Sequence, residues 1–103
     1  MARVVWAEPA LQDLEQIADY IALDKPKAAK DLVRTVFEKV ELLETFPDMC
    51  PVPKDLPDYR YKHLIVGPLK IFHRVEADIV YVVYVMRTER ELKIVNIEER
   101  DRI

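Results

Sequence analysis

The chain has 103 residues, of which 50% are hydrophobic and 34% charged, a balance typical of one folded soluble domain. The single cysteine excludes an internal disulfide framework, and the single glycine excludes the glycine-rich loops that hold nucleotide phosphates. No apolar run approaches the roughly 20 residues of a membrane span, and no signal-peptide pattern is present. We therefore expect residues 1–103 to form one cytoplasmic domain without cofactor, metal or membrane contact.

Charge is unevenly distributed along the chain. The net charge of −3 does not indicate a nucleic-acid-binding protein. Residues 1–50 carry six basic and ten acidic side chains, whereas residues 51–103 carry ten basic and nine acidic ones. An anionic partner is therefore expected to prefer the second half.

The first half predicts a short strand followed by two helices. Arg3–Trp6 is rich in β-formers, and Glu8-Pro9 has the chemistry of a helix start. Apolar residues then recur at helical spacing, with Asp13 among the polar residues of the opposite face. The first predicted apolar stripe is Leu11, Leu14, Ile17, Ala18 and Ile21. Asp24-Lys25-Pro26 interrupts this pattern, and a second helical pattern follows and ends near Pro47. Because only a short turn joins the two helices, we expect them to form an antiparallel hairpin.

The second half predicts strands. After a proline-rich loop at 47–58, hydrophobic residues alternate with the two-residue period of a β-strand, and short turns follow at Gly67-Pro68 and Glu76–Asp78. The predicted strands are Tyr59–Val66, Leu69–Val75 and Ile79–Met86.

The end of the chain is less regular. The pattern of Leu92–Ile97 fits either a last strand or the start of a helix, and residues 98–103 are expected to be a solvated charged end. The order β-α-α-β-β-β(-β) predicts an α+β fold, in which the N-terminal helical hairpin packs on one face of a twisted antiparallel sheet.

Basic side chains are unusually frequent in and after the predicted strands. They are Lys62, Lys70, Arg74, Arg87, Arg90 and Lys93. If the helices cover one face of the sheet, the other face gathers several of these cations in a concave patch. Such a patch has the chemistry to cleave a phosphodiester without a metal ion. The alternative, which the pattern alone favours, is the ordinary polar face of a solvent-exposed sheet.

Two histidines and one cysteine are the other candidate reactive groups. His63 and His73 suit acid–base chemistry near neutral pH, or each is a half-buried strand residue. Neither histidine has the spacing of a metal-ligand set with Asp, Glu or Cys50. Cys50 lies in the proline-rich loop, and we expect it to have no chemical role.

Several short segments, in this order and spacing, resemble the RelE/ParE superfamily of toxins from bacterial type II toxin–antitoxin systems. The resemblance covers residues 3–92, and the superfamily's fold, a helical hairpin on an antiparallel sheet, agrees with the periodicity. The matching segments are Val5-Trp6, Ala10–Leu14, Ile17–Ile21, Pro26–Ala29, Leu43–Pro47, Arg60-Tyr61, Ile65–Pro68, Ile71–Val75 and Val82–Arg87.

The superfamily contains two mechanisms. RelE-like members cleave mRNA in the ribosomal A site with sheet-borne Lys and Arg and a C-terminal aromatic residue, whereas ParE-like members bind and inhibit DNA gyrase. Ile94 or Val95 stands where the C-terminal aromatic residue is expected. The long helical hairpin, the Gly67-Pro68 turn and the ending Val85–Arg90 resemble ParE and plasmid-stabilisation proteins. The resemblance therefore implies a growth-inhibiting, ParE-like toxin that acts by inhibiting gyrase.

The resemblance also implies roles for the cations. The expected contacts with gyrase are Arg87, Arg90 and Lys93. The expected contacts with the antitoxin are Lys62, Lys70 and Arg74. The alternative is a RelE-like, ribosome-dependent mRNA endoribonuclease, whose catalytic cations would be Lys62, Lys70, Arg74, Arg87 and Arg90. A second alternative is an inactive homologue that binds its antitoxin and co-regulates the operon.

In each case the expected partner is a cognate antitoxin. It is expected to be small and partly disordered, with an acidic segment, and to form a hetero-oligomer with the toxin. The second partner is DNA gyrase, or the ribosome with its mRNA in the RelE-like alternative.

Overall fold

A computed structural model describes residues 1–51, 60–90, 97–99 and 101 of the chain. Its elements, in chain order, are strand β1 (Arg3–Trp6), helix α1 (Glu8–Ala22), helix α2 (Pro26–Glu41), a 3-10 turn (Leu42–Glu44), and strands β2 (Lys62–Val66), β3 (Leu69–Glu76) and β4 (Ile79–Arg87). These elements confirm the predicted α+β fold. Residues 97–99 are helical, while the rest of the segment 92–97 lies outside the described residues.

The sheet is mixed rather than entirely antiparallel. Its strand order is β1-β4-β3-β2, with antiparallel pairs β2–β3 and β3–β4. β1 instead pairs with β4 in parallel, from Arg3 opposite Ile79 to Trp6 opposite Val82. The expected all-antiparallel sheet was wrong for this strand, because hydrophobic periodicity carries no information about strand direction.

The main core lies between the helical hairpin and one face of the sheet. Ala10 and Leu14 of α1, and Val36 and Val40 of α2, are buried there. The sheet contributes Val66, Leu69, Ile71, Val80, Val82 and Val85. Neither α1 nor α2 is long and apolar enough to cross a membrane.

The buried face of α1 is rotated from the predicted stripe. Leu11 is 40% exposed, whereas Asp13 is only 9% exposed. The Asp13 carboxylate accepts a hydrogen bond from the backbone N–H of Val85, at 3.3 Å, which makes its burial tolerable. The prediction that Asp13 belongs to the solvated face was therefore wrong.

A second, smaller core covers part of the opposite face of the sheet. It consists of Tyr61, Phe72, Val83, Met86 and Ile97, with Tyr81 and Tyr84 packed against it. A register shift between β3 and β4 makes Val83 an extra residue on β4, since Phe72 pairs with Tyr84 and His73 with Val82. The second face is thus not the open polar surface that the sequence suggested.

Two hairpin turns differ in how well their residues suit the backbone. Gly67 and Ala77 each have φ = 54°, at the first turn position after β2 and β3 respectively. Glycine adopts this positive-φ, left-handed backbone conformation freely, whereas alanine adopts it at a cost of about 1 kcal/mol.

We expect Ala77→Gly to raise the free energy of unfolding by up to about 1 kcal/mol, because it removes this conformational cost. Gly67→Ala is the matched opposite change and is expected to destabilise by a similar amount. Its new Cβ meets only Leu32 Cδ1, at 3.7 Å, so the loss reports the backbone alone. Urea denaturation of both variants measures the two values; a loss of stability in Ala77→Gly contradicts the account.

Candidate functional site

The predicted cations do not gather on one face of the sheet. Residues paired across strands share a face, and side chains alternate along each strand. Lys62 pairs with His73, and Arg87 with Leu69, which places both cations on the face that packs against the helices. Lys70 and Arg74 alternate with Ile71 and His73, and therefore lie on the opposite face. The arrangement separates the expected cationic cluster into two groups.

Lys62 and Lys70 are both half-buried at the β2–β3 side of the sheet. The Lys62 ammonium lies 3.0 Å from a carboxylate oxygen of Asp48. Asp48 is 77% exposed, so this ion pair is open to water and contributes little to stability. Lys70 pairs with Ile65, which is itself 50% exposed.

Arg74 is buried in an ionic network that involves the end of the chain. Its Nε donates to Asp101 Oδ2 at 2.6 Å, and its Nη1 donates to Glu76 Oε2 at 2.6 Å. Its guanidinium also lies over the ring of Tyr81, 4.3 Å from the centroid. The hydrogen bond with Asp101 is the main cause that raises the pKa of Arg74 above its ordinary value. Arg74 therefore has a structural role, because its guanidinium is engaged by Asp101, Glu76 and Tyr81.

Asp101 is the centre of this network. Besides Arg74, it accepts a hydrogen bond from the Tyr61 hydroxyl at 2.9 Å and lies 3.6 Å from Nη2 of Arg60. Burial, followed by the bond to Asp101, raises the pKa of Tyr61 to about 12. The Asp101 side chain is 3% exposed, so the expectation of a solvated end at 98–103 was wrong at this residue. The sequence carries no local signal for the pair, because 27 residues separate Arg74 from Asp101.

The two histidines lie on opposite faces of the sheet. His73 pairs with Lys62 on the helix side, whereas His63 pairs with Phe72 and meets its ring edge-on at 5.9 Å. His73 is fully buried, and this burial, with a smaller effect of the Lys62 charge, lowers its pKa to about 4. His73 is therefore neutral at physiological pH, and the two rings do not form an acid–base pair.

Cys50 is also buried, and burial raises the pKa of its thiol. A buried thiol with a raised pKa is a poor nucleophile. Within the described parts of the chain, no group of three or more His, Cys, Asp or Glu side chains is arranged to hold a metal ion.

An open cleft between α1 and β4, the α1–β4 cleft, contains two of the predicted target-binding residues. β1 ends opposite Val82 and turns into α1, whereas β4 continues to Arg87, so a gap of about 690 Å³ opens between α1 and the end of β4. This volume lies in the range of ordinary ligand sites. Its described lining residues are Asp13, Gln16, Ile17, Tyr20, Tyr84, Val85, Met86, Arg87, Glu89 and Arg90.

Both signs of charge are present in the α1–β4 cleft. Arg87 Nε lies 2.6 Å from Glu89 Oε1, and both side chains remain partly exposed, at 35% and 60%. Arg90 is exposed in the turn after β4, where its N–H donates to the carbonyl of Arg87 at 3.1 Å. Asp13 lies at the α1 wall with its carboxylate on Val85. Lys93, the third predicted target contact, falls outside the described residues.

The side chains of this lining suit the binding of a partner. Its arginines and carboxylates suit charged groups of either sign on a partner, and Tyr20 and Tyr84 offer amphipathic contact surface. The sequence prediction identified Arg87 and Arg90 but missed Asp13, because it placed Asp13 on the polar face of the helix, and it gave Tyr20 no role. A buried carboxylate at a strand edge has no signature in helical periodicity.

Comparisons with known proteins agree with this architecture. The family model described as the ParE toxin of type II toxin–antitoxin system, parDE, matches residues 4–92. A solved chain from the chromosomal ParDE toxin–antitoxin system of P. aeruginosa superposes with a TM-score of 0.73 at 22% identity. The superposition covers 86% of this chain and 98% of that chain, and at this identity it shows a shared fold. No match is found among curated proteins.

The burial of His73 predicts a loss of stability in acid. Because its folded-state pKa of about 4 lies below the ordinary 6.5, the unfolded chain binds the proton more tightly. The stability that neutral His73 provides is complete above pH 6.5 and decreases as the pH falls through 4, by roughly 3 kcal/mol in total. Urea denaturation between pH 7 and 4, with NMR titration of the His73 ring, tests this. His73→Leu should flatten the pH profile, and an NMR pKa near 6.5 contradicts the prediction.

The ion pair of Arg74 predicts unequal effects for its two carboxylate partners. Asp101→Asn leaves a buried guanidinium without its main counter-charge and is expected to lower the free energy of unfolding by about 3 kcal/mol. Glu76→Gln changes the 70%-exposed partner of the same arginine and should cost less than about 1 kcal/mol. Equal effects in thermal or urea denaturation would show that Asp101 does not anchor the end of the chain.

Proposed function

Because the chain belongs to the ParE toxin family of type II toxin–antitoxin systems, we propose that it stops growth by binding and inhibiting DNA gyrase. In this proposal Arg87 and Arg90 contact the target from the α1–β4 cleft. Lys93 remains a proposed third contact. Inhibition then results from binding and requires no bond-breaking chemistry in the toxin.

The separation of the cations is the observation that favours gyrase inhibition over RNA cleavage. RNA cleavage by its own 2′-hydroxyl needs a base, an acid and cations around a single phosphate. Arg74 is held by Asp101 and Glu76 on one face of the sheet, while Lys62 and Arg87 lie on the other face. These cations would not surround one phosphate in this fold. The accessible pair of arginines in the α1–β4 cleft is better suited to a protein surface.

An antitoxin is the proposed second partner. The P. aeruginosa neighbour comes from a ParDE toxin–antitoxin system, and family membership carries the same expectation to this chain. We propose a small antitoxin with a partly disordered, acidic segment, which forms a hetero-oligomer with the toxin and covers Arg87 and Arg90. Of the three other proposed antitoxin contacts, Lys62 and Lys70 are accessible in part. Arg74 becomes accessible to the antitoxin only if Asp101 moves away from its guanidinium.

A gyrase supercoiling assay with purified proteins tests the proposed target. We expect the wild-type chain to inhibit supercoiling, and the double variant Arg87→Ala/Arg90→Ala to need at least about tenfold higher concentration, since it loses two charge-assisted contacts. The matched control Lys27→Ala/Arg34→Ala removes two positive charges from exposed positions of α2. This control should inhibit like wild type.

Other outcomes separate the alternatives. If the wild-type chain stops growth but leaves supercoiling unchanged, gyrase is not the target. If it cuts ribosome-bound mRNA, and Lys70→Ala abolishes the cutting, the RelE-like alternative is correct. If expression without antitoxin is harmless, the chain is an inactive homologue that retains antitoxin binding.

A further inference from the structure

Strand β1 forms one edge of the sheet, and its backbone offers hydrogen-bonding groups on the outer side. On the inner side, the N–H of Arg3 donates at 2.8 Å and that of Ala7 at 2.9 Å to carbonyls of the segment 78–82. Backbone groups alternate in direction along a strand. The N–H and C=O groups of Val4 and Trp6 therefore point away from β4.

Little in the described parts of the chain covers this outer side. The one backbone bond to it there is from the N–H of Ala2 to the carbonyl of Glu44, at 2.8 Å. Val4, Val5 and Trp6 are each partly exposed. Edge strands are commonly protected by a proline, a bulge or a charged side chain. The stretch from Val4 to Trp6 has none of these and pairs with β4 in regular register, so its outer side is suited to a further strand.

We propose that two copies of the chain associate by antiparallel pairing of their β1 strands, with the two-fold axis at Val5. In this register Val4 of each copy lies opposite Trp6 of the other, and their outward backbone groups make about four hydrogen bonds. The two Val5 side chains meet at the centre. The pairing joins two four-stranded sheets into one continuous sheet through an isologous interface. It rests on no part of the proposed function.

Apolar side chains beside the edge favour a second copy as the occupant. Val4 and Trp6 lie on the face of the sheet that packs against the helices. The ring of Trp6 lies 5.1 Å from that of Phe37, which is 42% exposed. In the pair, Val4 of the second copy packs against Trp6 and extends this cluster. Cross-strand pairs of an aromatic and a β-branched residue stabilise antiparallel strands.

The charges at the ends of the paired stretch are complementary. The register places Ala7 of one copy opposite Arg3 of the other, so the start of α1, at Glu8, lies next to Arg3. Arg3 and Glu8 are both exposed and carry opposite charges. The two Arg3 residues are separated by roughly 14 Å along the strands, so like charges do not meet. Each end of the pair thus brings one cation to one carboxylate.

The four residues of β1 are too few to hold a dimer alone. Specific interfaces bury roughly 600 to 1,000 Å² on each partner. Leu11, 40% exposed near the start of α1, and Phe46, 57% exposed and two residues after Glu44, add apolar area. Because Glu44 bonds to β1 at Ala2, the register brings Leu11 of one copy toward Phe46 of the other. We expect a weak dimer, with a dissociation constant of about 10 to 100 μM.

A cysteine at the two-fold axis tests both the pairing and its register. Two residues at this position form a non-hydrogen-bonded pair, whose Cα atoms lie about 4.5 Å apart, within reach of a disulfide. In an oxidising glutathione buffer, Val5→Cys should form a covalent dimer at least about tenfold faster than Leu23→Cys. Leu23 is 86% exposed just after α1 and reports chance collisions. The native Cys50 is buried, and the wild-type chain serves as the blank.

Sedimentation equilibrium measures the association without a cross-link. Val4→Pro removes an N–H that points outward, a change that an edge strand tolerates, and should raise the dissociation constant at least about tenfold. Val4→Ala is the matched control, because it shortens the same side chain but keeps the N–H. It should weaken the dimer less than Val4→Pro does. Circular dichroism checks that both variants are folded.

Three results would overturn the proposal: a wild-type chain that stays monomeric at about 1 mM, equal cross-linking rates in Val5→Cys and Leu23→Cys, or equal dissociation constants in Val4→Pro and Val4→Ala. A wild-type dimer whose Val5→Cys variant does not cross-link uses another interface and also contradicts it. The described residues that line the α1–β4 cleft include none from β1. Failure of the supercoiling assay therefore leaves this pairing standing, and failure of the pairing leaves the proposed target standing.

Discussion

The short parallel pair between β1 and β4 is the constraint on which the candidate site depends. Four residues of β1 bring the N-terminus to the β4 edge of the sheet, and the turn at Ala7 then sends the chain into α1. Because β1 stops opposite Val82, α1 and not a strand lies beside the end of β4. The α1–β4 cleft, the position of Asp13 and the accessibility of Arg87 all follow from this early turn.

The opposite face of the sheet is organised by a different interaction. Asp101 brings the end of the chain onto Arg74 and Tyr61, next to the second core in which Ile97 is fully buried. Burying an ion pair is costly unless its hydrogen bonds are made. Here Arg74, Tyr61 and Arg60 all lie at one oxygen of the Asp101 carboxylate, Oδ2, while Oδ1 is buried without a hydrogen-bond partner among the described residues. The consequence for function is that Arg74, which the sequence analysis predicted to be a binding cation, has a structural role instead.

The helices and strands could be predicted closely from hydrophobic periodicity, because each element has one apolar face. α1, β3 and β4 begin and end within about two residues of the predicted bounds, in line with the usual uncertainty of element ends. The predicted end of α2 near Pro47 was wrong, because the α-helix ends at Glu41 and tightens into the 3-10 turn Leu42–Glu44. The site was less accessible to sequence reasoning. Arg87 and Arg90 were identified as cations near the end of a strand, but the face each residue occupies depends on register. The burial of Asp13 depends on an amide 72 residues away, and that distance leaves no local pattern.

We propose that the chain acts on DNA replication by binding gyrase. Pulse labelling of cells within minutes of induction without antitoxin, with thymidine and methionine incorporation followed together, tests it most directly. The account predicts that thymidine incorporation stops while methionine incorporation continues. A fall in methionine incorporation before thymidine would place the target in translation and contradict the account.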